Sequence, residues 1–119
     1  MKGLNEVRLI GNAGGSPTVR ATNSGPVANL SIATNMKWKD ASGDWKERTE
    51  WHQLVGFGFY AEMMRDQVKK GTPLYVEGRL QTDSWDQDGE KRSKTVVIVE
   101  RLELMAEAPK VQNRAEVQR

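Results

Sequence analysis

Across residues 27–37 the chain alternates: Ala28, Leu30 and Ile32 occupy one parity, Asn29, Ser31 and Ala33 the other. Successive side chains of a strand point to opposite faces, so this pattern describes a strand with one core face and one polar face. The same period of two returns over residues 74–82, where Leu74, Val76, Gly78 and Leu80 oppose Tyr75, Glu77, Arg79 and Gln81. Residues 4–12, 18–22, 45–56 and 95–104 are further extended pieces. In the last of them Val96, Ile98, Leu102 and Leu104 share a parity, which predicts one apolar face. In 45–56 neither parity is plainly the wet one, because Trp51 sits among Thr49 and Gln53 while Leu54 sits with Glu50 and His52.

One stretch breaks the period. Phe59, Tyr60, Met63, Met64 and Val68 form a helical stripe, and Glu62, Arg65, Asp66, Lys69 and Lys70 face away from it. The spacing predicts a helix over 59–70 that stops at Gly71, with its two lysines in the last turn. Turn chemistry divides the remaining pieces: three glycines within 11–15, Asn23-Ser24-Gly25-Pro26, and two tips rich in Asp at 40–44 and 86–90. The prediction is an all-β fold: a five-stranded barrel of the oligonucleotide-binding (OB-fold) type, with one helix between strands three and four and long β-hairpins. Closing the sheet removes the open edges that a chain this small would otherwise expose. An SH3-like barrel or a small sandwich would also bury these strands, but neither naturally inserts a helix there. Residues 1–105 are expected to form the domain and 106–119 a short flexible C-terminal tail, since only Val111 and Val117 there are large aliphatics.

Several function classes drop out on composition. The chain has no cysteine, which excludes disulfides, thiolate metal sites and thiol nucleophiles. His52 is the single histidine, and no carboxylates are spaced to complete a triad or a zinc site with it. The acidic tip at 86–90 lacks the spacing of a calcium loop, and the glycines at 11–15 are not followed by Lys-Ser/Thr as in a phosphate-binding loop. The expectation is therefore no enzyme, no catalytic residue, no metal and no cofactor. The longest purely apolar run is the tetrad 96–99, far short of the ~20 residues of a membrane helix. With no signal-peptide core at the N-terminus, a cytoplasmic location without membrane attachment is expected.

The 18 Lys and Arg against 16 Asp and Glu give a net charge of only +2, with no basic tail. Any positive surface must therefore be assembled by folding. The aromatics are more telling. Trp38 stands between Lys37 and Lys39, and Trp85 between Asp83-Ser84 and Asp86, so neither indole has an apolar face of its own to join. A stacking platform gives such an indole a physical reason, because a nucleobase presents a π-face whatever its identity. A single Lys or Arg on a strand is more often merely solvated. As a group, however, they would supply the phosphate neutralisation that stacking requires.

The dispersed segments Asn5-Glu6-Val7-Arg8-Leu9-Ile10-Gly11-Asn12, Pro17, Val27-Ala28-Asn29-Leu30-Ser31-Ile32-Ala33-Thr34, Thr49-Glu50-Trp51-His52, Lys70-Gly71 and Tyr75-Val76-Glu77-Gly78-Arg79-Leu80 keep their order and spacing. Together they resemble the bacterial-type single-stranded DNA-binding proteins over roughly residues 4–104. The resemblance implies an OB-fold homotetramer that binds and protects single-stranded DNA during replication, recombination and repair, with little sequence preference and no chemical reaction. It would place the protein with the nucleoid.

The same resemblance implies that Trp38, Trp51, Phe57 and Trp85 stack on bases. By location, Arg8, Arg20, Lys37, Lys70 and Arg79 become candidates for phosphate contacts, and His52 and Tyr75 for the subunit interface. Two features depart from the family. Its members commonly end in an acidic peptide with a terminal phenylalanine that docks replication and repair proteins, whereas this chain ends Glu116-Val117-Gln118-Arg119. Either the sequence is a truncated form or this member lacks that docking function. Trp45, beside the first hairpin tip, has no family role. The rival reading is a protein-interaction barrel that has lost DNA binding, and retention of all four aromatics argues against it.

Overall fold

A computed structural model describes residues 1–106. Its strands are β1 (Val7–Ala13), β2 (Thr18–Thr22), β3 (Gly25–Lys39), β4 (Trp45–Phe57), β5 (Pro73–Gln87) and β6 (Glu90–Leu104), with the helix α1 (Phe59–Gln67) between β4 and β5. The sheet runs β1-β5-β6-β4-β3-β2, and a β1–β3 pairing closes it into a barrel. All pairings are antiparallel except β4–β6, which runs parallel through Leu54 with Val97 and Val55 with Ile98.

The six strands make five staves. β1 and β2 both pair with β3, Asn12 and Ala13 opposite Ala33 and Ile32, and Thr18 opposite Asn29. They are two halves of one stave, interrupted at residues 14–17 by glycine and proline. The OB-type barrel predicted from the sequence is therefore present. Counted strand by strand, however, the helix follows the fourth rather than the third.

Three local expectations are corrected. First, the helix ends at Gln67 rather than Lys70. Val68 turns extended (φ −107, ψ 131) while its N–H still reaches the Met64 carbonyl, and its side chain stays in the core. Thr72 then folds the chain back, donating to the Lys69 carbonyl and accepting from the Lys69 N–H at its hydroxyl.

Second, Phe59 does not join the helix's buried stripe. Ala61 and Met64 supply that stripe, and Phe59 remains 70% exposed with its ring edge-on to Tyr60.

Third, Val97 and Val99 of β6 face the core in place of Val96 and Ile98, while Leu102 is core as its parity predicts. Gly78 pairs with Val99 while Glu77 pairs with Arg101, so Glu100 is an extra residue that shifts the parity. Val96 and Ile98 are also buried, but on the other face. Gly78 permits the close approach at this bulge, since a Cβ there would lie 2.2 Å from the Ile98 carbonyl oxygen.

Ala28, Leu30, Ile32, Leu54, Leu74 and Val76 complete the inner layer as their alternation requires. Beyond the barrel, β3–β4 and β5–β6 continue as two-stranded arms. Met36 and Leu80 hold core parity there yet are exposed, because no opposite layer covers them. Residues 107–119, almost all of the tail expected from the sequence, lie outside the described residues.

Candidate nucleic-acid interface

Strand register decides which aromatics share a surface. On β4, Leu54 faces the core, so Trp45, Trp51 and Phe57 have the opposite, outward parity. Each lies six positions from the next, which at strand rise is ~20 Å. Val55, on the same outward side of β4, neighbours Ile98 of β6, which in turn pairs with Arg79 of β5. Trp85 shares the parity of Arg79 and pairs with Arg92. Trp51, Phe57 and Trp85 thus lie on one continuous outer face. Trp38 does not: it shares the parity of Leu30 and Ile32 and pairs with Lys46, on the reverse side of the β3–β4 arm.

None of these rings is core. Trp51 is 59% exposed and Phe57 51%. Trp51 is nonetheless positioned, because its six-membered ring lies over Gly14, where a Cβ would come within 2.5 Å of Cζ3. Gly14 is held by its N–H to the Ser31 carbonyl at 2.8 Å. The glycine-rich break in the first stave therefore makes room for an indole, a role the sequence did not reveal.

Phe57 borders a groove of about 200 Å³. Its floor is Val55, Val96 and Ile98, and Arg20 and Lys94 reach its rim. Arg20, Val27 and Phe57 form one cross-strand row over β2, β3 and β4. Among the described residues neither Arg20 nor Lys94 has an ion pair within 4 Å. Sequence reading missed Lys94. Its signal was parity, because it pairs with Asp83 on the Trp85 face of the second hairpin.

The other basic candidates are placed differently. Arg79 lies on the outer face and contacts Glu100 at 3.3 Å, and Lys37 contacts Glu47 at 3.8 Å. Exposed pairs of this kind contribute ~0–1 kcal/mol, so an incoming phosphate displaces them at little cost. Lys70 sits in the turn after α1, which is clamped to the barrel by the Gly71 N–H on the Ala13 carbonyl. That turn adjoins Gly14 and hence the Trp51 ring. Arg8 stands apart on the outer side of β1, where its partner Glu6, at 3.0 Å, holds the guanidinium more firmly protonated than usual. Its cross-strand neighbour is Glu77, and the groove residues are on other strands.

His52 and Tyr75 occupy different faces. His52 is half-buried on the inward parity of β4, with Nε2 2.9 Å from the Thr34 hydroxyl. Tyr75 points outward on β5 and donates its hydroxyl to the Glu77 carboxylate, a bond that raises the phenol above its ordinary pKa. Among the described residues no cluster of three or more His, Cys, Asp or Glu could hold a metal ion, and no helix is long and apolar enough to cross a membrane.

Comparison with known proteins bears on this surface. The model of the Single-strand binding protein family matches residues 4–105. Single-stranded DNA-binding protein 1 of Chlorobaculum tepidum is 43% identical over 107 residues, covering 87% of this chain and 66% of the relative's length. The structure of Plasmodium falciparum SSB in complex with ssDNA superposes with a TM-score of 0.82 at 30% identity, over 89% of this chain and 98% of that one. A single-stranded DNA binding protein from Thermus aquaticus superposes with a TM-score of 0.76 at 36% identity, over 87% of this chain and 51% of that one.

Proposed function

The chain belongs to the single-strand binding protein family, and from that premise we propose that it binds and protects single-stranded DNA with little sequence preference. The observation that carries the proposal is the outer face of the barrel. Half-exposed aromatic rings stand there beside a groove whose rim carries two cations without ion-pair partners among the described residues.

Each element follows from the chemistry of an unpaired strand. Its bases expose π-faces that a duplex keeps stacked, and Trp51, Phe57 and Trp85 offer flat partners for them. Trp38, on the reverse of the arm, takes a base only from a strand that passes around the arm's edge, which favours a wrapped path. Arg20, Lys37, Lys70 and Arg79 neutralise phosphates along that path, and Lys94 joins them. Arg8, on the outer side of β1 opposite Glu77, adds a further cation beside the strand that carries Arg79. No step makes or breaks a covalent bond, and stacking plus charge neutralisation need no cofactor.

Replication, recombination and repair are the processes that expose such strands, and a nucleoid-associated cytoplasmic protein would meet them there. We extend the proposal to assembly as a homotetramer. Over Val7 to Ile10, β1 pairs with β5 alone, which leaves one backbone edge open to a second copy. His52 and Tyr75 are the proposed subunit-contact residues, and light scattering gives the mass directly.

Salt titration tests the binding reading. Phosphate contacts release counterions, and on single strands log K falls with log salt by about 0.7 per phosphate. With Arg20, Lys37, Lys70 and Arg79 engaged, the slope of tryptophan quenching by oligothymidylate should be about −3. A slope near zero would show that phosphate neutralisation plays no part.

A further inference from the structure

Trp45 is 69% exposed, more than any other indole in the chain. It sits at the start of β4 opposite Lys39, whose ammonium lies 5.6 Å from its ring centroid. Exposing so large an apolar ring is unfavourable for a ring that serves only the fold, and no core lies beneath the arm to absorb it. The surroundings are specific. Trp45, Lys37, Lys46 and Glu47 line a concavity of about 410 Å³, within the size range of small-ligand sites. Lys37 and Lys46 are held only by exposed contacts of 3.8 and 3.7 Å, to Glu47 and Asp40. Lys39 has no ion pair within 4 Å among the described residues.

Position adds the second argument. Trp45 has the parity of Trp51 and Phe57 on the same strand, and it continues their line with the same six-residue interval. A strand lying along the outer face of β4 and running past Trp51 towards the arm's tip meets Trp45 next.

We propose that Trp45, with Lys37 and Lys39 on the same face, is an additional single-stranded nucleotide site that extends the DNA track along the β3–β4 arm. The indole stacks on a base and the lysines take the adjoining phosphates. The site rests on the single-strand reading above and deepens it. It lengthens the footprint beyond the barrel without altering the barrel's own contacts.

The test compares wild type, W45A and W45F with two oligothymidylates, one short enough to occupy only the barrel face and one long enough to reach the tip. Circular dichroism melts confirm that all three remain folded, as expected for a residue so exposed. At ~1–3 kcal/mol per stacked base, W45A should weaken binding of the long strand by about 5- to 150-fold. It should leave the short strand unchanged, and W45F should recover much of the loss. Equal affinity of W45A and wild type for the long strand would overturn the site while leaving single-strand binding intact. Failure of wild type to bind either strand would overturn the broader reading, and the site with it. A drop in assembly mass for W45A at micromolar concentration would also overturn it, by making the indole a contact between subunits.

Discussion

Replacing Trp51 and Phe57 together by alanine should weaken binding of oligothymidylate by about 2–6 kcal/mol. Each stacked base contributes roughly 1–3 kcal/mol, and sites ~20 Å apart with no shared partner should add. Both rings are more than half exposed, so little of the loss should come from folding. Trp51 is the less pure case. Its ring covers Gly14, and removing it uncovers part of the first stave. The measurement pairs a binding isotherm with a thermal melt for each single variant and the double. If the double variant binds like wild type, stacking on β4 is not how the strand is held.

The opposite result is expected of Leu54→Ala. Leu54 is fully buried where three strands meet, pairing with Leu30 of β3 and Val97 of β6. Truncating a buried leucine costs about 2–5 kcal/mol, through lost burial and the cavity left behind. Against a total stability of roughly 5–15 kcal/mol for a domain, that is a large fraction. Melting should fall by about 10 °C or more. Protein that remains folded should keep its affinity, since Leu54 points away from the outer face. Trp85→Ala should do the reverse, losing affinity with little change in melting. Similar melts for Leu54→Ala and Trp85→Ala would mean that the inner and outer faces of the barrel have been assigned wrongly.

How far the sequence carried this picture depended on whether local pattern or tertiary register set each feature. Alternation over 27–37 and 74–82 was enough to place Leu30, Ile32, Leu74 and Val76 inside, because those strands keep an unbroken period of two. It misplaced Val96 and Ile98 on β6, because the bulge at Glu100 exchanges the two parities, while Leu102 beyond it is core as expected. A bulge depends on the partner strand as well as on the bulged one, and only the close approach permitted by Gly78 hints at it. The helix ran three residues short of its periodic pattern because Val68 is held in the core as extended chain, a tertiary preference that helical spacing does not encode.

The site was legible in kind but not in arrangement. Polar neighbours marked Trp38 and Trp85 as misfits for a core, and both are exposed. That Trp38 lies on the opposite side of its arm from Trp51 follows only from the β3–β4 register. Lys94 escaped notice because a lone lysine in a strand carries no signal until Arg20 and Phe57, distant in sequence, are seen around the same groove.

One measurement bears most directly on the central claim. Tryptophan fluorescence should be titrated, at a single fixed salt concentration, with an oligothymidylate and with a blunt duplex of the same length. Stacking on Trp51, Phe57 and Trp85 requires bases whose faces are free, and a duplex must first unstack them at a cost of a few kcal/mol. The single strand should quench the emission and bind at least about tenfold more tightly than the duplex. Equal affinity for the two, or binding of neither, would contradict the account.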